Sequence, residues 1–168
     1  MKNLFANNRL RISITDRCNF RCKYCTNEGQ SHNGGNFISL DFVKQLAMFI
    51  SENQIYVRKL NITGGEPLLH PELLKIVEIF KPAVESISIN TNGELLDRKK
   101  IIALKDSGVA CIKFGIDSFF QRTTKPFYKK CICHPTRIVE NLTFARELMP
   151  RSSVNIVLTD FNEDEFEN

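Results

Sequence analysis

The stretch "LRISITDRCNFRCKYC", residues 10–25, begins as a strand and ends in three cysteines. Leu10, Ile12 and Ile14 alternate with Arg11, Ser13 and Thr15, the period of two that belongs to a strand with one apolar face. Directly after it, Cys18, Cys22 and Cys25 fall within eight residues. Thiols so close together cannot staple distant parts of a fold, and their spacing suits metal ligation better. Three chemistries are open at this point: a disulfide framework, a zinc site and an iron–sulfur cluster.

The rest of the chain narrows the choice. Its 168 residues, 42% hydrophobic and 25% charged, fit one globular domain, residues 1–168. No apolar run has the length of a membrane span, and "MKNLFANNRL" at the start lacks a signal-peptide core. The expected location is therefore cytoplasmic, where thiols stay reduced, which weighs against disulfides. Net charge is +4, unevenly spread. The last nine residues, "DFNEDEFEN", hold five acids and no base, which leaves 23 bases against 14 acids, or +9, on the remainder. No recognition motif accompanies this surplus, so a solvated basic surface is expected and no nucleic-acid partner.

Short strand patterns alternate with longer helical ones. After residues 10–15, strands are expected at 59–63 ("KLNIT"), 85–90 ("ESISIN"), 110–118 ("ACIKFGIDS") and 153–158 ("SVNIVL"). The first helix follows Ser39 as N-cap, with Phe42, Val43, Leu46, Ala47, Phe49 and Ile50 at helical spacing. A second has Pro71 in its first turn and Pro82 past its end, a third ends at Gly108, and a fourth spans "PTRIVENLTFARELMP". Serial βα steps imply a parallel α/β sheet with right-handed crossovers. Each strand carries a polar face: Arg11, Ser13, Thr15; Lys59, Asn61, Thr63; Ser86, Ser88, Asn90; Lys113, Gly115, Asp117; Ser153, Asn155. One-sided polarity is unusual in a parallel sheet and points to a cavity for a polar ligand. The other faces, down to Ile156 and Leu158 on the last strand, are expected under the helices.

The unusual residues lie in loops after strand ends, where parallel α/β folds build their sites. "TGGEPLLHP", residues 63–71, follows the second strand. Gly64 and Gly65 let backbone come close to a ligand, Glu66 adds a carboxylate, and Pro67 stiffens the exit. "CICH", residues 131–134, reads as incidental thiols beside a solvent-facing His134, Cys111 as a small buried residue, His32 as exposed, and His70 as the start of the second helix. Asp117 is either a loop cap or a site residue.

With both loops in view, the chain resembles the radical S-adenosylmethionine (SAM) superfamily. "CNFRCKYC" is similar to that family's CxxxCxφC loop, in which φ is aromatic, and "TGGEP" to its methionine-binding turn. "INTNG" (89–93) and "FGIDS" (114–118) match further family positions, and residues 10–25 look most like the GTP 3′,8-cyclases of molybdenum-cofactor synthesis. The resemblance implies a TIM-like (β/α) partial barrel, here with about five βα units and without the family's sixth strand. It implies a [4Fe–4S] cluster on Cys18, Cys22 and Cys25, and S-adenosyl-L-methionine held through Tyr24, Gly64, Gly65, Glu66, Asn90, Gly115 and Asp117. The implied chemistry is reductive cleavage to a 5′-deoxyadenosyl radical that takes hydrogen from a small-molecule or peptide substrate, with flavodoxin or ferredoxin as a typical electron donor. Arg11, Asn61 and Ser153 occupy substrate positions. Only Arg11 keeps the family's charge there: Asn61 stands for an Arg and Ser153 for a Lys. Asn90 and Gly115 likewise replace a Thr and a Ser. The cyclases' second three-cysteine cluster has no counterpart in this sequence. These departures argue against GTP cyclisation and leave a peptide-maturase-like activity, or a non-catalytic half-barrel that binds a partner, as the other implied readings.

Overall fold

In the computed structural model, residues 6–22, 24–25, 35–118, 134–160 and 162–165 are described. Five strands, β1 (Arg9–Ser13), β2 (Lys59–Thr63), β3 (Ile87–Thr91), β4 (Val109–Gly115) and β5 (Ser153–Asn155), form one sheet in chain order. All four pairings are parallel. The helices α1 (Leu40–Glu52), α2 (Leu73–Phe80), α3 (Arg98–Ser107) and α4 (Pro135–Leu148) fill the crossovers. With β1 and β5 at its edges, the sheet is open and not a closed barrel. Among the described residues no helix is long and apolar enough to cross a membrane.

The alternation read from the strands sorts side chains as expected over most of the sheet. Leu60, Ile62, Ile87, Ile89, Ile112 and Phe114 are buried and pack with Val43, Ile76, Phe80, Ile101 and Ile138 from the helices. The opposite face carries the polar residues in register: Arg11 beside Asn61 and Ser88, and Asn90 beside Lys113 and Ser153. Ser39 caps α1 by accepting from the Phe42 amide, and Asp97 caps α3 by accepting from that of Lys100. Gly108, at φ 121°, ends α3 in a conformation that side chains resist.

Four expectations need correction. The fourth strand, expected over 110–118, stops at Gly115. On α1 the buried stripe is Val43, Ala47 and Ile50, spaced four and three apart, which leaves Phe42 and Phe49 about half exposed on its flank. The second helix begins at Leu73, with Pro71 outside it. His70, held extended before that proline, first closes a separate 3-10 turn, Pro67–Leu69. The last strand stops at Asn155, because the Val157 amide is taken by the Asp117 carboxylate at 3.1 Å and not by a strand partner. Leu158 is consequently exposed and not under a helix.

Candidate functional site

The loops that follow β1, β2 and β3 meet at one rim. Pairing between the first two continues past the strand ends: the Ile14 amide donates to Thr63 at 3.0 Å, Gly65 to Thr15 at 2.8 Å and Glu66 to Arg17 at 2.7 Å. The glycines are explained by this seam. A Cβ on Gly64 would lie 2.5 Å from the Thr15 carbonyl oxygen, and one on Gly65 2.2 Å from that of Arg17. Their close approach is to protein backbone, on the side where the cysteine loop departs. The loop is tied again where it returns, by the Ile38 amide donating to the Ile14 carbonyl at 2.9 Å and by the Arg17 side chain donating to the Gly35 carbonyl at 2.5 Å.

Glu66 is fully buried at the centre of the rim. One of its oxygens accepts from the Thr91 hydroxyl at 2.7 Å and the Leu68 amide at 3.0 Å, the other from the Asn92 amide at 2.8 Å. Burial pushes its carboxyl up to about 7, against these three donors, which pull it down. Asn92 in turn donates to the Asn19 side chain at 2.8 Å, so the loop after β3 grips the cysteine loop. His70 is buried as well: Glu72 donates to its Nδ1 at 3.1 Å, and its Nε2 lies 3.1 Å from the Ile38 carbonyl oxygen. It pins the returning cysteine loop to the glycine turn, a role beyond starting a helix.

Cys18, Cys22 and Cys25 are free thiols, partly buried. Each lies within electrostatic reach of the other two. Burial pushes Cys18 up to about 11 and Cys22 up to about 12. Phe20, almost wholly buried, anchors the segment between the first two, and its amide donates to the Cys18 sulfur at 3.3 Å. Tyr24 reaches across to hydrogen-bond the Asp117 carboxylate, so Asp117 ties the cysteine loop to the end of β4 as well as bonding Val157. Among the described residues no three His, Cys, Asp or Glu side chains surround a single metal-ion position. A cluster imposes a different demand, one thiolate per iron, so its three cysteines stand apart from one another.

A cavity of about 190 Å³ opens beside Cys22, and Cys18 and Cys25 do not line it. Of the residues singled out from sequence, it gathers Cys22, Tyr24, Gly65, Asn90, Gly115 and Asp117. Gly64 and Glu66 lie behind its wall, and Arg11, Asn61 and Ser153 do not line it. Phe20, Asn92, Lys113 and Asn155 do, though sequence reading did not single them out as site residues. The strand alternation that puts Lys113 and Asn155 on the polar face was the available signal. The Oδ1 atoms of Asn90 and Asp16 are buried without a hydrogen-bond partner among the described residues, and of the two residues only Asn90 lines the cavity. His134 bonds the Glu94 carboxylate at 2.7 Å, away from this cavity; Cys131, Cys133 and His32 lie outside the described residues.

The Radical SAM superfamily profile matches residues 12–168. The chain belongs to this superfamily. It is 36% identical over 118 residues to a GTP 3′,8-cyclase of Pectobacterium atrosepticum, which covers 67% of this chain and 35% of the cyclase. It is 34% identical to the GTP 3′,8-cyclase of Alkaliphilus metalliredigens, across all of this chain and 53% of that one. The chain thus spans between about a third and a half of these relatives' length. Among solved structures, anSMEcpe with bound AdoMet superposes with a TM-score of 0.72 at 18% identity, over 94% of this chain and 45% of that one. BtrN in complex with AdoMet and 2-DOIA gives 0.69 at 18% identity, over 92% and 58%. At such identities the superpositions show the fold, a parallel sheet of the radical SAM type.

Proposed function

We propose that this chain carries the cofactor-binding part of a radical SAM enzyme that acts on a small-molecule or peptide substrate. The observation that carries the reading is one cavity lined by both Cys22 of the three-thiol loop and Gly65 of the glycine turn. Cys18, Cys22 and Cys25 would hold a [4Fe–4S] cluster: the donor set is soft, and three thiolates leave one iron free for a further ligand. Tyr24, Gly65, Asn90, Gly115 and Asp117 would line the S-adenosylmethionine site, and the unpartnered Asn90 oxygen fits a cofactor that brings hydroxyl and amino donors. When bound, cluster and cofactor together supply an electron to the sulfonium and a 5′-deoxyadenosyl radical for hydrogen abstraction.

The protein's part is to position and to shield. Gly64 and Glu66 act from behind the wall, the glycine by admitting the Thr15 backbone and the carboxylate by fixing Thr91 and Asn92. Burial keeps the Cys18 and Cys22 thiols protonated at neutral pH, so loading them with iron would release protons. A GTP 3′,8-cyclase-like reaction is the second reading, favoured by identity to the cyclases. Against it stand the neutral Asn61 and Ser153, which offer no charge-assisted contact to a triphosphate.

The test is anaerobic reconstitution followed by dithionite and S-adenosylmethionine, with 5′-deoxyadenosine as the readout. We expect its formation by the parent chain and its loss in Cys22→Ala. Failure of a cluster-loaded protein to bind S-adenosylmethionine would overturn the reading.

A further inference from the structure

Lys113 lies on β4, one strand in from the edge, on the polar face between Asn90 and Ser153. It is partly buried, and it lines the same cavity as Cys22, Gly65 and Asp117. The ion pairs among the described residues all lie elsewhere, at Asp41, Glu72, Asp106 and Glu94. The charged groups on β1 and β2 that act on Lys113 are all of its own sign, Lys59, Arg9 and Arg11, while the Asp117 carboxylate that shares the cavity is engaged by Tyr24 and the Val157 amide. Burial, with these three cations behind it, lowers the pKa of its ammonium.

A lysine kept for stability is found beside a carboxylate. One that lines a cavity without an ion-pair partner, with cations on the strands beyond, gains most when an anion enters. Lys113 is two residues before Gly115 on the same face, about 7 Å deeper along the strand than the rim.

We propose that Lys113 anchors an anionic group of the substrate, a carboxylate or a phosphate, with Lys59, Arg9 and Arg11 supplying the surrounding positive potential. This rests on the radical SAM reading only in assigning the anion to the substrate; the anion site itself stands on the cavity. It makes Lys113 a specificity-determining residue and the substrate a compound with an acidic group at one end and the reacting hydrogen toward the rim.

Titration calorimetry of the 168-residue chain with inorganic phosphate, and separately with succinate, tests this at low ionic strength, where screening is weak. We expect one of the two anions to bind one per chain, which tells phosphate from carboxylate. Lys113→Gln should weaken that binding by about tenfold or more, as loss of a charge-assisted contact does, and Lys113→Arg should restore most of it. Lys99→Gln, on the exposed side of α3, should change it by less than about twofold. Lys59→Gln, which leaves the anchor itself in place, should weaken it by a smaller factor than Lys113→Gln. S-adenosylmethionine binding, followed in the same preparations, should be unaffected by Lys113→Gln. Absence of binding by both anions, or equal binding by parent and Lys113→Gln, would overturn the proposal. So would a parallel loss of S-adenosylmethionine binding in Lys113→Gln, which would give the lysine to the cofactor. Absence of S-adenosylmethionine binding in the parent, with anion binding intact, would count against the cofactor reading alone.

Discussion

At the scale of single residues, the site depends on how closely two loops can run. A methyl group on Gly65 would meet the Arg17 carbonyl group, backbone that cannot swing aside. We expect Gly65→Ala to cost roughly 1–3 kcal/mol by urea denaturation, the range for overpacking a tight contact. At Gly115 the nearest atom to an added Cβ is 3.7 Å away, so Gly115→Ser should stay within about 0.5 kcal/mol of the parent. Equal stabilities for the two variants would contradict the seam. Glu66 gives a pH signature. Burial raises its carboxyl from the ordinary 4.5 to about 7 in the folded chain. The folded state then holds the proton more tightly than the unfolded one. The group's favourable contribution is full below about 4.5 and is lost as pH rises through about 7. Glu66→Gln cannot titrate, so its urea midpoint should fall less over that window than the parent's, and parallel profiles would refute the assignment. Sequence showed Glu66 as a carboxylate beside a glycine turn. Its partners Thr91 and Asn92 lie 25 and 26 residues further on, and no local pattern announces such a contact.

At the scale of elements, the stripe each helix turns to the sheet decides what a substitution costs. Phe80, the last residue of α2, is wholly buried, while Ile102 on α3 is 43% exposed. Phe80→Ala should destabilise by about 3–5 kcal/mol and Ile102→Ala by no more than about 0.5 kcal/mol. Thermal or urea unfolding of the pair checks both, and a similar cost for each would show that the core is misplaced. Asp97→Ala, which removes the N-cap of α3, should cost about 1 kcal/mol. Strand periodicity made four of the five strands legible, although in β4 Cys111 and Ile112 are both buried beside a register shift and the strand ends at Gly115, short of 118. The fifth was overread: "SVNIVL" alternates as well as the others, but only Ser153–Asn155 pair. What ends it is Asp117, a residue 40 positions earlier whose side chain takes the Val157 amide. Phe42 and Phe49 were overread for a related reason. Helical spacing admits a wide stripe, and only the packed sheet selects Val43, Ala47 and Ile50 from it.

At the scale of the whole molecule, the five-stranded sheet stands open, with the cavity against its polar face. An open wall admits water, and water weakens the electrostatic hold on a charged cofactor and exposes a reactive radical. The 168-residue chain by itself should therefore bind S-adenosylmethionine more weakly than a full-length GTP 3′,8-cyclase and cleave it more slowly. Side-by-side 5′-deoxyadenosine assays decide this, and equal rates would show that five strands suffice. The cluster itself is the more direct matter, since radical chemistry in this chain requires that Cys18, Cys22 and Cys25 hold iron and sulfide. The measurement is iron, acid-labile sulfide and zinc content after anaerobic reconstitution, for the parent and for each of Cys18→Ala, Cys22→Ala and Cys25→Ala. We expect about four irons and four sulfides per parent chain, as a [4Fe–4S] cluster requires, and their loss in every cysteine variant. Stoichiometric zinc without sulfide, or a cluster that survives in any of the three variants, would contradict it.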